Sequence, residues 1–407
     1  MPTYTYTARD IEGKAISGSL AGANEHLIRE QLRRSNLFVT KLDQKGGTAD
    51  GPAVPSAGFF TQKVKLYEMV VFSRQFSTLI QAGLVLTEAL DALADQTRNP
   101  TLKNTIMEIK TEVTSGSTLT SAMKKHPKLF SELYLALVEA GETGGMLDQT
   151  LETAATALDT EMEIKEKVKS AFVYPIAVLV TAVGVVTFLL AYVVPIFAQV
   201  YKQFKSELPG VTKLLVALSA AVTGYWWVAA LLAVVATVIY IQAYKTYRGR
   251  RVIDCALTRL PLFGHLIEKI SLARAAHTLS SLAAAGVPLV PTLSTAGRVS
   301  GNSLIVDAME QVSLHVQQGV SMATAMTETG RFPLLMTRMV AAGEKSGNLS
   351  EMLEQVAHFF DREVDYGVKR MMTLIEPIMT VGMGLVVGFI LLALYLPVFN
   401  LGNVMKN

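Results

Sequence analysis

Hydrophobic positions follow two patterns along this chain. Over most of it they recur every three or four residues, as in Leu66, Met69, Val70, Phe72, Phe76, Leu79 and Ile80. That spacing predicts amphipathic helices, ended at glycines such as Gly83. In three runs the alternation with charge disappears: residues 170–201, 214–244 and 377–405 contain no Asp, Glu, Lys or Arg over 32, 31 and 29 positions. Each run exceeds the roughly 20 residues a helix needs to cross a hydrocarbon core. Residues 1–43 show a third, weaker pattern, with Tyr4, Tyr6 and Ala8 alternating with polar residues. It predicts two strands around a turn at residues 10–13, a helix capped by Asn24 and a strand near Phe38.

The helical pattern is written twice. Gly141-Glu142-Thr143-Gly144-Gly145-Met146-Leu147 returns 202 residues later as Gly343-Glu344-Lys345-Ser346-Gly347-Asn348-Leu349. The same offset joins Phe130 to Phe332, Asp159 to Asp361, Pro175 to Pro377 and Pro195 to Pro397. Ala82-Gly83-Leu84 matches Ala285-Gly286-Val287 at an offset of 203. One register held over so long a stretch marks a duplication, each copy ending in an apolar run.

The expected architecture is an all-α membrane protein. Two homologous cytoplasmic helical bundles of about six helices each, residues 59–169 and 263–370, are joined to three transmembrane helices, 170–200, 214–244 and 376–398. A small α/β module, 1–43, precedes them across a flexible linker rich in Gly, Pro, Ala and Ser, 44–58. Residues 201–213 form a short outer loop, 245–262 a basic connector and 399–407 a tail.

Charge adds direction. Lys165, Lys167 and Lys169 precede the first span, and Lys245, Arg248, Arg250 and Arg251 follow the second. Positive-inside counting therefore places the N-terminus and both repeats in the cytoplasm and the C-terminus outside. Residues 1–20 lack an apolar signal-peptide core, so the first span is expected to act as the targeting signal. The net charge of +3 argues against nucleic acid as a partner, and the single cysteine, Cys255, excludes an intramolecular disulfide framework.

Catalytic patterns are missing from the sequence. Its six histidines are scattered, no H-E-x-x-H occurs, and the glycine-rich turn lacks the Gly-Lys-Ser/Thr of a phosphate loop. We expect no enzyme activity and no cofactor. The repeated turn, with Gly141, Glu142 and Gly145 matched by Gly343, Glu344 and Gly347, is expected between helices. Its glutamates either hold a helix N-terminus or meet a partner or ion. Asp159 and Glu163, with Asp361 and Asp365, precede the spans as a solvated face or as oxygen ligands for Ca²⁺ or Mg²⁺; no spacing fixes a coordination shell. Pro175, Pro377, Gly384 and Gly388 are candidates for helix packing within the membrane. A transporter or channel subunit is the alternative, but spans without charge supply a polar path only between several protomers.

Three motifs carry a resemblance: Ala82-Gly83-Leu84-Val85-Leu86 with Ala285-Gly286-Val287-Pro288-Leu289, Phe130 to Leu147 with Phe332 to Leu349, and an acidic stretch leading to a proline-marked span. Over residues 59–407 the chain resembles the inner-membrane platform family of type II secretion and type IV pilus assembly. The start, Tyr4-x-Tyr6-x-Ala8-x-Asp10, is similar to that family's leading module. The resemblance implies a non-enzymatic inner-membrane scaffold that forms a homo-oligomer. It would meet a hexameric assembly ATPase, pilins or pseudopilins and other inner-membrane components, and pass subunits from the bilayer into a filament. The two turns differ, Thr143 facing Lys345 and Gly144 facing Ser346, so the copies are not expected to be interchangeable.

Overall fold

The computed structural model describes residues 3–9, 15–21, 38–45, 62–203, 210–260 and 263–404. It separates into two compact units, Met1–Thr61 and Gln62–Asn407. In the first, strands β1 (Thr3–Arg9), β2 (Ala15–Ala21) and β3 (Phe38–Lys45) form an antiparallel sheet in the order β2-β1-β3. Thr5 lies opposite Ser19 on one side and Asp43 on the other. The helix expected after Asn24 falls outside the described residues. β3 runs two residues into the expected linker, the rest of which also falls outside them.

The second unit is helical. In the first repeat, α1 (Leu66–Gln81), α2 (Leu86–Gln96), α3 (Pro100–Thr114), α4 (Leu119–Lys124) and α5 (Glu132–Gly144) lead into α6 (Leu147–Phe188). Sequence signals set these ends. Asn99 accepts hydrogen bonds from the Thr101 and Leu102 amides while Pro100 takes the first helical position, where no N–H is needed. Gly145 ends α5 at φ 69°, a left-handed conformation that costs glycine little. Phe72, Phe76, Leu90, Ile106, Met123, Phe130 and Leu137 close a core around the buried Tyr134.

A π-turn, Leu189–Val193, follows α6 and passes into α7 (Val194–Gln203). Pro195 has no N–H to continue the ordinary ladder, and the Val194 amide reaches back to the Leu189 carbonyl instead. Ser219 then donates its hydroxyl to the Leu190 carbonyl at 2.5 Å. That serine lies on α8 (Gly210–Lys245), which bends at Tyr225, beside the Trp226-Trp227 pair. By contrast, Pro175 sits inside α6 without ending it.

After the short basic helix α9 (Tyr247–Arg259), the second repeat follows with α10 (Phe263–Ala284), α11 (Leu289–Ser300), α12 (Ser303–Gln317), α13 (Met322–Thr329) and α14 (Leu334–Ser346). It ends in α15 (Leu349–Val404), one helix of 56 residues. Its core uses smaller residues: Ala275 and Leu279 stand where the first copy has Phe72 and Phe76. Three helices are long and apolar enough to cross a membrane: Leu147–Gln199, Gly210–Lys245 and Leu349–Leu396. At most 11% of their most apolar windows is buried within the chain, so this surface is left for lipid or protein. Leu190, Val194, Leu215, Ile390 and Ala393 join the three near the ends that lie away from the repeats.

Candidate functional site

The repeated glutamates lie in helices rather than in the turns expected for them. Glu142 is in the last turn of α5 and Glu344 in the last turn of α14, with Gly145 and Gly347 supplying the left-handed stop that follows. Each carboxylate reaches back to the short helix before its own. Glu142 accepts from the Leu119 amide at 2.6 Å, the Thr120 amide at 3.0 Å and the Thr120 hydroxyl at 2.7 Å. Glu344 accepts from the Met322 amide at 2.6 Å and the Ala323 amide at 3.1 Å. The third amide of each short helix goes to its own cap, Ser121 to Thr118 and Thr324 to Ser321. A negative charge therefore sits on the positive end of a helix too short to be stable alone.

The glycines beside these acids serve close packing. A Cβ on Gly141 would fall 1.8 Å from Thr150 Oγ1, and one on Gly343 2.9 Å from the Leu349 Cα. Both hold the first turn of the membrane-bound helix against the helix that carries the glutamate. Around Gly384 and Gly388, by contrast, a Cβ would meet nothing within 4 Å, so the chain itself makes no close crossing there. Pro175 is buried and faces Met379 and Met383 of α15 across a cavity of about 350 Å³. The structure gives no side-chain or packing role to Pro377.

The juxtamembrane acids are tied inward. Asp159 and Glu152 both bind Arg74, whose guanidinium is held above its ordinary pKa by the hydrogen bond to Asp159. In the second repeat the equivalent group is His277, 2.9 and 3.0 Å from the two Asp361 oxygens, with His358 and Glu354 alongside. Asp365 reaches across to Lys167 of the other repeat at 3.3 Å, while Glu163 is exposed. Among the described residues no group of three or more His, Cys, Asp or Glu is placed to hold a metal. The sequence reading missed Arg74 and His277. The signal was there: their helix follows the offset of 203, not 202, fixed by the Ala-Gly match at its end.

The two repeats also meet each other. Leu282, on α10 of the second, is buried in the core of the first, and Ala285 and Val287 pack on its edge. Arg298 on α11 forms an ion pair with Glu132 on α5. Phe172 stacks on Phe263 with ring centroids 6.5 Å apart.

With this arrangement in place, comparison with known proteins is decisive. The model of type II secretion system protein F matches the chain twice, over residues 72–195 and 275–397, and the model of that protein's N-terminal domain matches residues 1–43. The chain belongs to the type II secretion system protein F family. Its relatives cover it almost end to end. It is 38% identical to the type IV pilus assembly protein PilC of Thermus thermophilus over 98% of both chains. Identity to PilC of Pseudomonas aeruginosa is 36%, over 93% of this chain and 99% of that one. To the type II secretion system protein F of the same organism it is 31%, over 99% of both. The doubled family match falls on the two helical repeats and the spans that follow them.

Proposed function

We propose that this protein is a non-enzymatic platform of an inner-membrane pilus or secretion machine, coupling a cytoplasmic assembly ATPase to the entry of pilin-like subunits into a filament. The observation that carries the reading is the full-length match to PilC and F proteins, on a chain whose two repeats each continue without a break into a span. α6 and α15 each begin on a folded repeat and run on into apolar surface, so a push on the repeat moves the membrane end of the same helix. Between the two machines we favour the pilus: in one organism, Pseudomonas aeruginosa, PilC is the more similar of the two relatives. The N-terminus and both repeats lie in the cytoplasm and the C-terminus outside, following the basic residues around Lys165 and Arg250.

The partners follow from that placement. The ATPase and other assembly components meet the repeats, and pilins meet the exposed spans. Gly384 and Gly388, open to the surroundings, offer a thin stripe on α15 for a second apolar helix. The test is crosslinking in intact membranes followed by identification of the partners. Recovery of an ATPase with a major pilin supports the reading. Normal filament assembly in cells lacking the protein overturns it.

A further inference from the structure

The contact between the repeats uses only half of what the duplication provides. In the chain, the 285–289 turn and α11 of repeat two seat on α5 of repeat one. The equivalent pair is the 82–86 turn with α2 of repeat one, and α14 of repeat two. Both halves of this second pair are on the surface. On the receiving side Leu133 and Ile164 are 9% and 6% exposed, whereas their counterparts Leu335 and Tyr366 are 40% and 64% exposed. On the docking side Val287 is half-buried against the first repeat, while its counterpart Leu84, in the free turn, is 36% exposed. The contact is therefore heterologous: a turn meets a helix face, and one of each is left over.

We propose that copies of this chain join head to tail through these free surfaces, the 82–86 turn and α2 of one copy seating on α14 of the next. Charge supports a second copy as the occupant. Glu88, Asp91 and Asp95 line one exposed face of α2, three and four residues apart. Leu334, Arg338 and Lys345 occupy on α14 the positions of Glu132, Ala136 and Thr143, which line the groove under α11 within the chain. Inside the chain the docking helix brings the cation, Arg298, and the receiving helix the anion, Glu132. Between copies the polarity is reversed, with acids on α2 and bases on α14. That reversal sets the pairing: Arg298 would be repelled by Arg338, while Asp95, its counterpart, is attracted. The ion pairs of Asp91 with Lys110 and of Asp95 with Lys103 are exposed and cost little to exchange.

The bilayer permits the arrangement. α6 and α15 leave their repeats in the same direction, contacting each other from Lys167–Asp365 to Leu190–Ile390. The step that relates the repeats thus keeps their spans parallel, and the same step between copies keeps each copy upright in one membrane. The proposal goes beyond the platform reading and stands whichever machine the protein serves.

The test uses the full-length protein in membranes, with Cys255 replaced by Ser. Asp95→Cys and Leu334→Cys occupy the positions equivalent to the Arg298–Glu132 pair. Expressed together with different tags and oxidised, they are expected to give a mixed-tag dimer, and a chain carrying both changes a ladder of higher species. Self-crosslinking of either single variant at the same yield, or crosslinks only to other proteins, overturns the proposal. A second arm uses the Glu88→Arg variant, two turns from Asp95 and so set toward Lys345, expected to lower ladder formation about tenfold, with Lys345→Glu restoring it. Melting of each variant confirms that it is folded, and an unchanged ladder in folded Glu88→Arg overturns the proposal as well.

Discussion

At the scale of single residues, the repeated glutamates hold the molecule's short helices in place. Removing the charge while keeping the shape, in Glu142→Gln or Glu344→Gln, leaves one backbone amide with a weaker acceptor and sets the other against an NH2 donor. We expect each to cost about 1–2 kcal/mol, read as a lower melting temperature of the purified protein. Glu142 binds one more hydroxyl than Glu344, so its loss is expected to cost more. Gly141→Ala places a methyl into Thr150 and is expected to cost about 1–3 kcal/mol, whereas Gly384→Ala, which meets nothing, leaves melting unchanged. Tyr134 gives the opposite case. Burial pushes its phenol up to about 12, and its hydroxyl faces Ser73 without hydrogen-bonding geometry. Tyr134→Phe is expected to fall within about 1 kcal/mol of the parent or to be more stable.

At the scale of elements, much was legible in the sequence. The glycine breaks and caps located the helices because each signal lies within a few residues of the end it sets: Asn99-Pro100 opens α3, and Gly145 closes α5. What the sequence hid were partners held together by folding. The amides bound by Glu142 lie 22 and 23 residues earlier and have no side-chain signature. The exchange of Arg74 for His277 was hidden by one residue of slippage between the copies. The docking of Leu282 in the other repeat's core left no periodic trace either, because its helix reads as an ordinary core helix. The continuity of α6 through Lys169 gives a prediction that belongs here. Four glycines inserted after Lys169 would break the rigid path while leaving repeat and span intact. Filament assembly is expected to fall strongly, with membrane insertion and melting of the first repeat unchanged, as measured by fractionation and calorimetry.

At the scale of the whole molecule, three spans with almost no surface buried inside the chain cannot form a closed unit by themselves. Their apolar faces are left to be completed by lipid or by other protein helices. The topology proposed above is open to direct measurement. A cysteine placed at Lys63 is expected to be labelled by an impermeant reagent only after the membrane is opened, and one at Lys406 in intact spheroplasts.

α15 deserves a mechanical reading. Its 56 residues span about 84 Å at 1.5 Å per residue, nearly three times a hydrocarbon core of about 30 Å. Its first half is packed along α10 in the core of the second repeat, so repeat and helix form one lever whose other arm lies in the bilayer. A tilt of about 5° over that length displaces one end relative to the other by roughly 7 Å. Displacements of several ångströms inside the bilayer therefore need only a few degrees of rocking at the cytoplasmic end, with no change in how either repeat is packed.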